Sequence, residues 1–162
     1  MENKTETYGG FWIRFVAYIL DYIVIGMIES LLVLPLLIVM GLQVTFWDQL
    51  ADLEKGDTDM IIATLISAGS GVYLSILMLT WLYFAIFQSG PRQATPGKMI
   101  LGLIVVDANG ARLSFARASL RYFSKYISSA VLMMGYIIAG ISPRKQALHD
   151  MIANTYVLKK SV

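Results

Sequence analysis

The sequence predicts an all-α integral membrane protein built as a single domain. Composition is the first observation: the 162 residues are 57% hydrophobic and 15% charged, against ~45–50% and ~25% in ordinary soluble domains. Mean hydropathy is the second, at +0.64. The third is the pattern of the chain, in which apolar stretches at about 11–40, 61–87 and 122–141 alternate with short charged connections. The length fits one domain.

Residues 11–40 form the first expected transmembrane helix. Thirty residues at 1.5 Å rise reach roughly 45 Å, beyond the ~30 Å hydrocarbon core, so Phe11, Trp12 and Tyr18 are expected at the interface. The stretch is too long and too charged for a cleaved signal and reads as a retained helix. Pro35 is a candidate kink. Residues 61–87 contain no charged side chain and form the second expected span. Gly69, Ser70 and Gly71 within it make a small-residue notch where another helix could approach.

The connections set an expected orientation. The acidic loop 42–60 carries Asp48, Asp52, Glu54, Asp57 and Asp59 against Lys55 alone. Residues 89–121 carry Arg92, Lys98, Arg112, Arg117 and Arg121 against Asp107 alone. Basic loops stay in the cytoplasm, which places the N-terminus inside and the acidic loop outside a cell membrane. The region 89–114 reads as a short cytoplasmic β-hairpin: Ile100–Val106 is β-rich, Asn109-Gly110 is a favoured turn, and 111–113 is the candidate return strand. Ser114 is a candidate helix N-cap.

The helical segment 115–141 carries a conflict. If it spans, the tail 142–162 lies outside, yet that tail holds Arg144, Lys145, Lys159 and Lys160 against Asp150. The alternative is a re-entrant segment that returns to the same side, and the charge balance leans that way. Ser142-Pro143 reads as a second helix start, Asn154 as its end, and Thr155–Leu158 as a strand that could pair with Ile100–Val106. Arg117, Arg121 and Lys125 fall at four-residue spacing and form one basic stripe, an expected contact for anionic lipid headgroups.

Charges inside apolar stretches are the candidate functional residues. Arg14, Asp21 and Glu29 lie in the first span, where a central Asp or Arg costs at least ~2.5–3.5 kcal/mol on insertion scales and so needs a partner, a wet cavity or a task. Arg14 and Asp21 share a helical stripe but stand roughly 10 Å apart along the axis, too far for easy pairing. Each is expected to find a partner on another segment, and Asp150 is the candidate for Arg14. A guanidinium suits that task because its planar fork binds carboxylate through two bonds.

The run Arg14-Phe-Val-Ala-Tyr-Ile-Leu-Asp21, the stretch Thr95-Pro96-Gly97-Lys98 leading to Leu101-Gly102-Leu103, and Gln146-Ala-Leu-His-Asp150 with Ala153 and Thr155 resemble the RDD family. That family of small membrane proteins takes its name from one arginine and two aspartates, matched here by Arg14, Asp21 and Asp150. The resemblance covers about Tyr8 to Lys160 apart from the acidic loop. Most members have no assigned activity, and cation/proton antiport has been proposed for some. Glu29 lies outside the family motif.

Two functional classes follow. One is a secondary transporter exchanging monovalent cations for protons, with Arg14, Asp21, Asp150 and Glu29 along the path and a homo-oligomer supplying enough interior. The other is a non-transporting module that binds anionic lipid or a partner protein, with the Arg/Asp network structural. Enzyme activity is not expected: His149 and Asp150 are adjacent, and adjacent helical residues do not face each other. The absence of cysteine and the single histidine exclude disulfides and argue against metal or cofactor sites. The Gly90–Lys98 stretch lacks P-loop spacing. A net charge of +2 gives no reason to expect nucleic acid.

Overall fold

The computed structural model describes residues 7–51, 58–130 and 142–160, with 138 and 140 besides. Helix α1 (Phe11–Ala51) and helix α2 (Thr58–Ser89) are the two long elements. Within them, Phe11–Val39 has a mean hydropathy of 2.4 and Leu65–Ser89 of 1.8. Their apolar side chains point outward: Trp12 is 74% exposed, Leu31 76% and Ile66 67%. The core helix of a soluble protein buries such residues, so the solvent that suits this surface is lipid. Pro35 is accommodated inside α1 rather than ending it. The helix continues to Ala51, so the first part of the expected acidic loop is helical; residues 52–57 lie outside the described residues.

The chain forms two compact units, Ile25–Thr80 and the remainder, Met1–Val24 with Trp81–Val162. In the first, Glu29 accepts a 2.8 Å hydrogen bond from Thr80 Oγ1, which also reaches the Ile76 carbonyl. Gly69 and Gly71 have open space around them.

The second unit is built on a three-stranded antiparallel sheet in the order β1-β3-β2, with β1 Thr7–Tyr8, β2 Leu103–Asp107 and β3 Thr155–Lys159. The fold is therefore mostly helical rather than all-α. Leu103 pairs with Lys159 and Asp107 with Thr155, and Tyr8 pairs with Leu158. Alternation along the strands buries Leu103, Val105 and Val157 on one face, where they meet Ala17, Ala85, Leu113 and Ala118. Gly9 lies over this face: a Cβ there would meet Leu103 at 3.1 Å and Val157 at 3.3 Å.

The expected hairpin is reduced to its turn. Asp107 Oδ1 accepts from the backbone N–H of Asn109 and Ala111, and Gly110 takes a left-handed φ of +76°. Beyond it only an isolated bridge, Val106 to Arg112, continues the pairing. The reason lies at the outer edge of β2, where the Val105 N–H is given to the Gln93 carbonyl. The full partner of β2 is the C-terminal strand β3.

Helix α3 (Pro96–Ile100) begins with Pro at its first position after Thr95. Helix α4 (Phe115–Ala130) is capped by Ser114, whose Oγ accepts from Arg117 N. Helix α5 (Leu148–Ile152) ends at Ala153, followed by Asn154 with φ +50°. Ser142-Pro143 forms a turn instead of a helix start. Lys145, at φ +47°, interrupts the backbone there, and the helix waits until Leu148.

Helix α4 is inverted relative to a soluble amphipathic helix. Leu120, Phe123, Tyr126 and Ile127 face outward, while Arg121, Ser124 and Ser128 are buried. An apolar outer face on a charged inner face fits a helix lying at the bilayer interface with its greasy side in lipid. Segment 115–141 starts in α4 and the chain leaves it at Ser142, with both ends in the unit that contains the sheet. β1, β2 and β3 share that sheet, so the chain enters and leaves this segment within one unit. Residues 131–137, 139 and 141 lie outside the described residues.

Topology reporters fused at the two termini should therefore report the same compartment. A spin label at Phe123 should be reached by lipid-dissolved oxygen, and one at Ser128 should be shielded.

Candidate functional site

One carboxylate gathers three elements. Asp150, at the third position of α5, is fully buried. Its Oδ1 accepts from Arg121 Nε at 2.8 Å and Arg121 Nη2 at 2.6 Å, an arrangement supplied by α4. Its Oδ2 accepts from Arg14 Nη1 of α1 and from the Ala147 backbone N–H at 3.1 Å, which also caps the start of its own helix. The arginines are held in turn. Arg14 Nε donates to the Gly9 carbonyl at 2.7 Å, and Arg121 Nη1 donates to Gln88 Oε1 of α2 at 2.7 Å. Burial alone would raise the Asp150 carboxyl, but Arg121 and Arg14 outweigh it and hold it well below the usual carboxylate range.

The second aspartate of the motif has its own pocket of donors. Asp21 is fully buried. Its Oδ1 accepts from the Gly97 N–H at 2.7 Å and Tyr83 Oη at 3.1 Å. Its Oδ2 accepts from Thr95 Oγ1 at 2.5 Å. The connection from Thr95 to Gly97 is thus clamped against α1. Glycine is required there by close approach: a Cβ at position 97 would lie 2.4 Å from the Ala17 carbonyl and 2.9 Å from Asp21 Cγ. Arg14 and Asp21 make no bond to each other. They act in two separate clusters, as their spacing along the helix suggests.

Around these clusters lie two lysines. Lys98 is nearly buried. Burial first, then the nearby Arg121 and Lys125, push its ammonium well below the usual lysine range. Lys125 is half-buried, with Nζ 3.8 Å from the centre of the Phe84 ring, a cation–π contact. Burial, reinforced by Arg121, pushes its ammonium down to about 7.

His149 lies beside Asp150, with its Nε2 3.5 Å from Asp150 Oδ1 and its Nδ1 3.5 Å from Ser128 Oγ. The two neighbours in sequence do converge, because α5 is short and Asp150 reaches back to Ala147. Burial pushes the imidazole well below its ordinary value, which leaves it neutral at pH 7.

The basic stripe of α4 does not face outward as one surface. Arg121 is 3% exposed and committed to Asp150 and Gln88, which removes it from contact with headgroups at the surface. Arg117 bonds Asp107 Oδ2 at 3.1 Å, and Lys125 lies over Phe84. The exposed side of α4 is instead the apolar one, with Leu120, Phe123, Tyr126 and Ile127. Glu29 belongs to the other unit. Sequence reading missed Tyr83, Gln88 and the Thr95 hydroxyl as ligands of the clusters. Gln88 carried a signal, being a lone amide at the end of an uncharged apolar run.

The fold and site define a small membrane protein whose helix ends and termini are joined by a buried Arg–Asp–Arg cluster and a second, hydrogen-bonded aspartate. A profile of the RDD family matches residues 8–154, and the chain belongs to that family. It is 33% identical over 163 residues to the uncharacterized membrane protein YteJ of Bacillus subtilis, covering 99% of this chain and 87% of that one. It is also 30% identical over 158 residues to the uncharacterized protein YxaI of the same organism, covering 96% and 99%. No solved structure matches.

Breaking the cluster should be costly. Asp150→Asn leaves two guanidinium groups without their anion and should destabilise the protein by about 3–5 kcal/mol, read from unfolding in detergent. Gly97→Ala should cost about 1–3 kcal/mol through overpacking, with the same readout. The Lys125 ammonium sits near 7 in the folded protein against an ordinary 10.5. Between those values the unfolded chain holds a proton that the folded one has lost. Stability in neutral detergent should therefore rise with pH across that window, and Lys125→Met should reduce the slope.

Proposed function

We propose that this protein is a non-transporting membrane module that binds anionic lipid at one face of the bilayer, with the Arg/Asp network as its architecture. The observation that carries this reading is the saturation of both motif carboxylates. Every oxygen of Asp150 and Asp21 accepts at least one hydrogen bond from within the chain. A cation carrier needs carboxylate oxygens that exchange protein donors for an ion or a proton. Here release of either carboxylate would undo the attachment of the termini or of the Thr95–Gly97 connection. The network thus holds α4 with its apolar face outward, the geometry of an interfacial binding surface.

The surface charge supports a cytoplasmic setting for this face and for the N-terminus. Arg92, Arg112, Arg144, Lys145, Lys159 and Lys160 are exposed on the unit that contains the sheet, and such bias is retained on the inner side of a cell membrane. Anionic inner-leaflet lipid is attracted to the same charges.

A second reading is favoured by Glu29, a carboxyl within a span, hydrogen-bonded to Thr80. In that reading the protein exchanges a monovalent cation for protons, Glu29 carries the proton, and a homo-oligomer completes the path. Purified protein in liposomes separates the two. The module reading expects no proton movement when a sodium or potassium gradient is imposed. Gradient-driven flux that Glu29→Gln or Asp21→Asn abolishes, in variants that remain folded, would overturn it.

A further inference from the structure

A cavity of about 370 Å³ opens at the outer edge of β2. It is lined by residues 91–94 and 102–104, with Met99 of α3 and Lys160 just past β3. Two of these residues, Arg92 and Lys160, are cationic and exposed, and none is acidic. Gln93 is the remaining polar side chain, and Pro91, Met99 and Ile104 supply an apolar wall. Arg14, Arg117 and Arg121 are each committed to a carboxylate. Arg92 and Lys160 form no ion pair among the described residues.

Backbone hydrogen bonds fix the walls. The Gln93 N–H donates to the Gly90 carbonyl at 3.1 Å, and the Gln93 carbonyl accepts from the Val105 N–H at 2.8 Å. These bonds clamp the turn after α2 to the edge of β2, with Gln93 at a left-handed φ of +54°. Few residues other than glycine adopt that conformation, and it recurs where a chain holds a ligand. Lys160 is held likewise, its N–H donating to the Gly102 carbonyl at 2.7 Å. Leu103 alternates in phase with Val105, so its N–H points to the same outer edge, where the cavity lies. The turn starts at Gly90, the residue after the apolar run Leu65–Ser89, and residues that follow a span directly lie at the level of lipid headgroups. The cavity matches the liquid volume of about a dozen waters. That is more than a bare phosphate needs, and it falls at the lower end of the roughly 300–1,000 Å³ typical of organic ligands.

We propose that this cavity binds a glycerophosphate group, supplied either as the headgroup of an anionic lipid or as free glycerol phosphate. Arg92 offers its planar fork to two phosphate oxygens, and Lys160 adds a point charge beside it. The Leu103 N–H is a third donor, and the glycerol carbons lie against Met99 and Ile104. Two cations on one cavity with no acid between them suit a phosphate, which has more oxygens to satisfy than a carboxylate. The site deepens the module reading and rests on it for the lipid source.

The test uses the full chain in nanodiscs of phosphatidylcholine, with glycerol 3-phosphate titrated at fixed ionic strength and its binding followed by calorimetry. In a parallel arm the nanodiscs contain phosphatidylglycerol, and lipid retained by the protein is read by native mass spectrometry. Wild type should hold at least one of the two. Arg92→Gln and Lys160→Gln should each weaken that binding by about tenfold or more, while Lys160→Arg should keep most of it. Arg112→Gln makes the same change of charge at an exposed arginine outside the cavity and should leave binding unchanged. All three positions are exposed, so the variants should unfold at the wild-type temperature. Glycerol 3-phosphate binding without lipid retention identifies the free ligand, and retention that the two cavity variants lose identifies the headgroup. The proposal is overturned if wild type holds neither ligand, or if Arg112→Gln weakens binding as much as Arg92→Gln does. Lipid retained equally by wild type and both cavity variants would sink the site and leave the module reading standing. Cation-driven flux together with Arg92-dependent binding would do the reverse.

Discussion

The Asp150 carboxylate is the contact on which the unit containing the sheet depends. It is fully buried and draws guanidinium groups from the start of α1 and the middle of α4, and it also caps its own helix. A buried carboxylate in this position would be strongly unfavourable alone. Two arginines and a backbone N–H make it tolerable, and the four groups together are high in cost if any one is lost. Asp150 thereby joins the N-terminal helix α1, helix α4 and the approach to the C-terminal strand. Gln88, through Arg121, ties in the end of α2. Asp21 does the same job for the connection after α2, using neutral donors in place of charged ones.

The inversion of α4 follows from this contact. Its Arg121 must reach Asp150, so its charged face turns inward and its Leu120, Phe123 and Ile127 face turns out. In water that arrangement would be penalised by the exposed apolar area. In lipid the same arrangement is favourable, because an apolar outer face suits an apolar solvent. Electrostatics inside and the solvent outside thus select the same orientation. This is also why the basic residues of the helix, which look like a surface stripe, end in an ion pair with Asp107, a buried carboxylate cluster and an aromatic ring.

Much of the local structure was legible in the residues. The two spans, the turn at Asn109-Gly110, the cap at Ser114, the end of the last helix at Asn154 and the strand at Thr155–Leu158 all follow from near-neighbour chemistry. The pairing of that strand with β2 was one of the open possibilities, and so was Asp150 as the partner of Arg14. The return strand after Gly110 is present as a single antiparallel bridge, Val106 to Arg112, and Ser142-Pro143 forms a turn where a helix start was expected. In both places backbone groups that favoured the expected element are used elsewhere: the Val105 N–H goes to Gln93, and Lys145 takes a left-handed conformation. The spacing of Arg117, Arg121 and Lys125 gave their shared face but not its direction. Periodicity marks a face without saying which solvent it meets.

By itself the sequence determined which segments suit lipid and which turns and caps suit the joints, because hydropathy and φ/ψ preference act over a few neighbouring residues. It also marked Arg14, Asp21 and Asp150 as charges that need partners. Only the tertiary structure decided who the partners are. Arg14 and Asp150 are separated by 136 positions and meet because β1 and β3 pair in one sheet. Asp21 meets Thr95 and Gly97 because position 97 has no side chain to hold the connection away from α1. Such contacts depend on closure of the whole unit, and no local pattern encodes the distance between two charges that the chain brings together only when the sheet has formed.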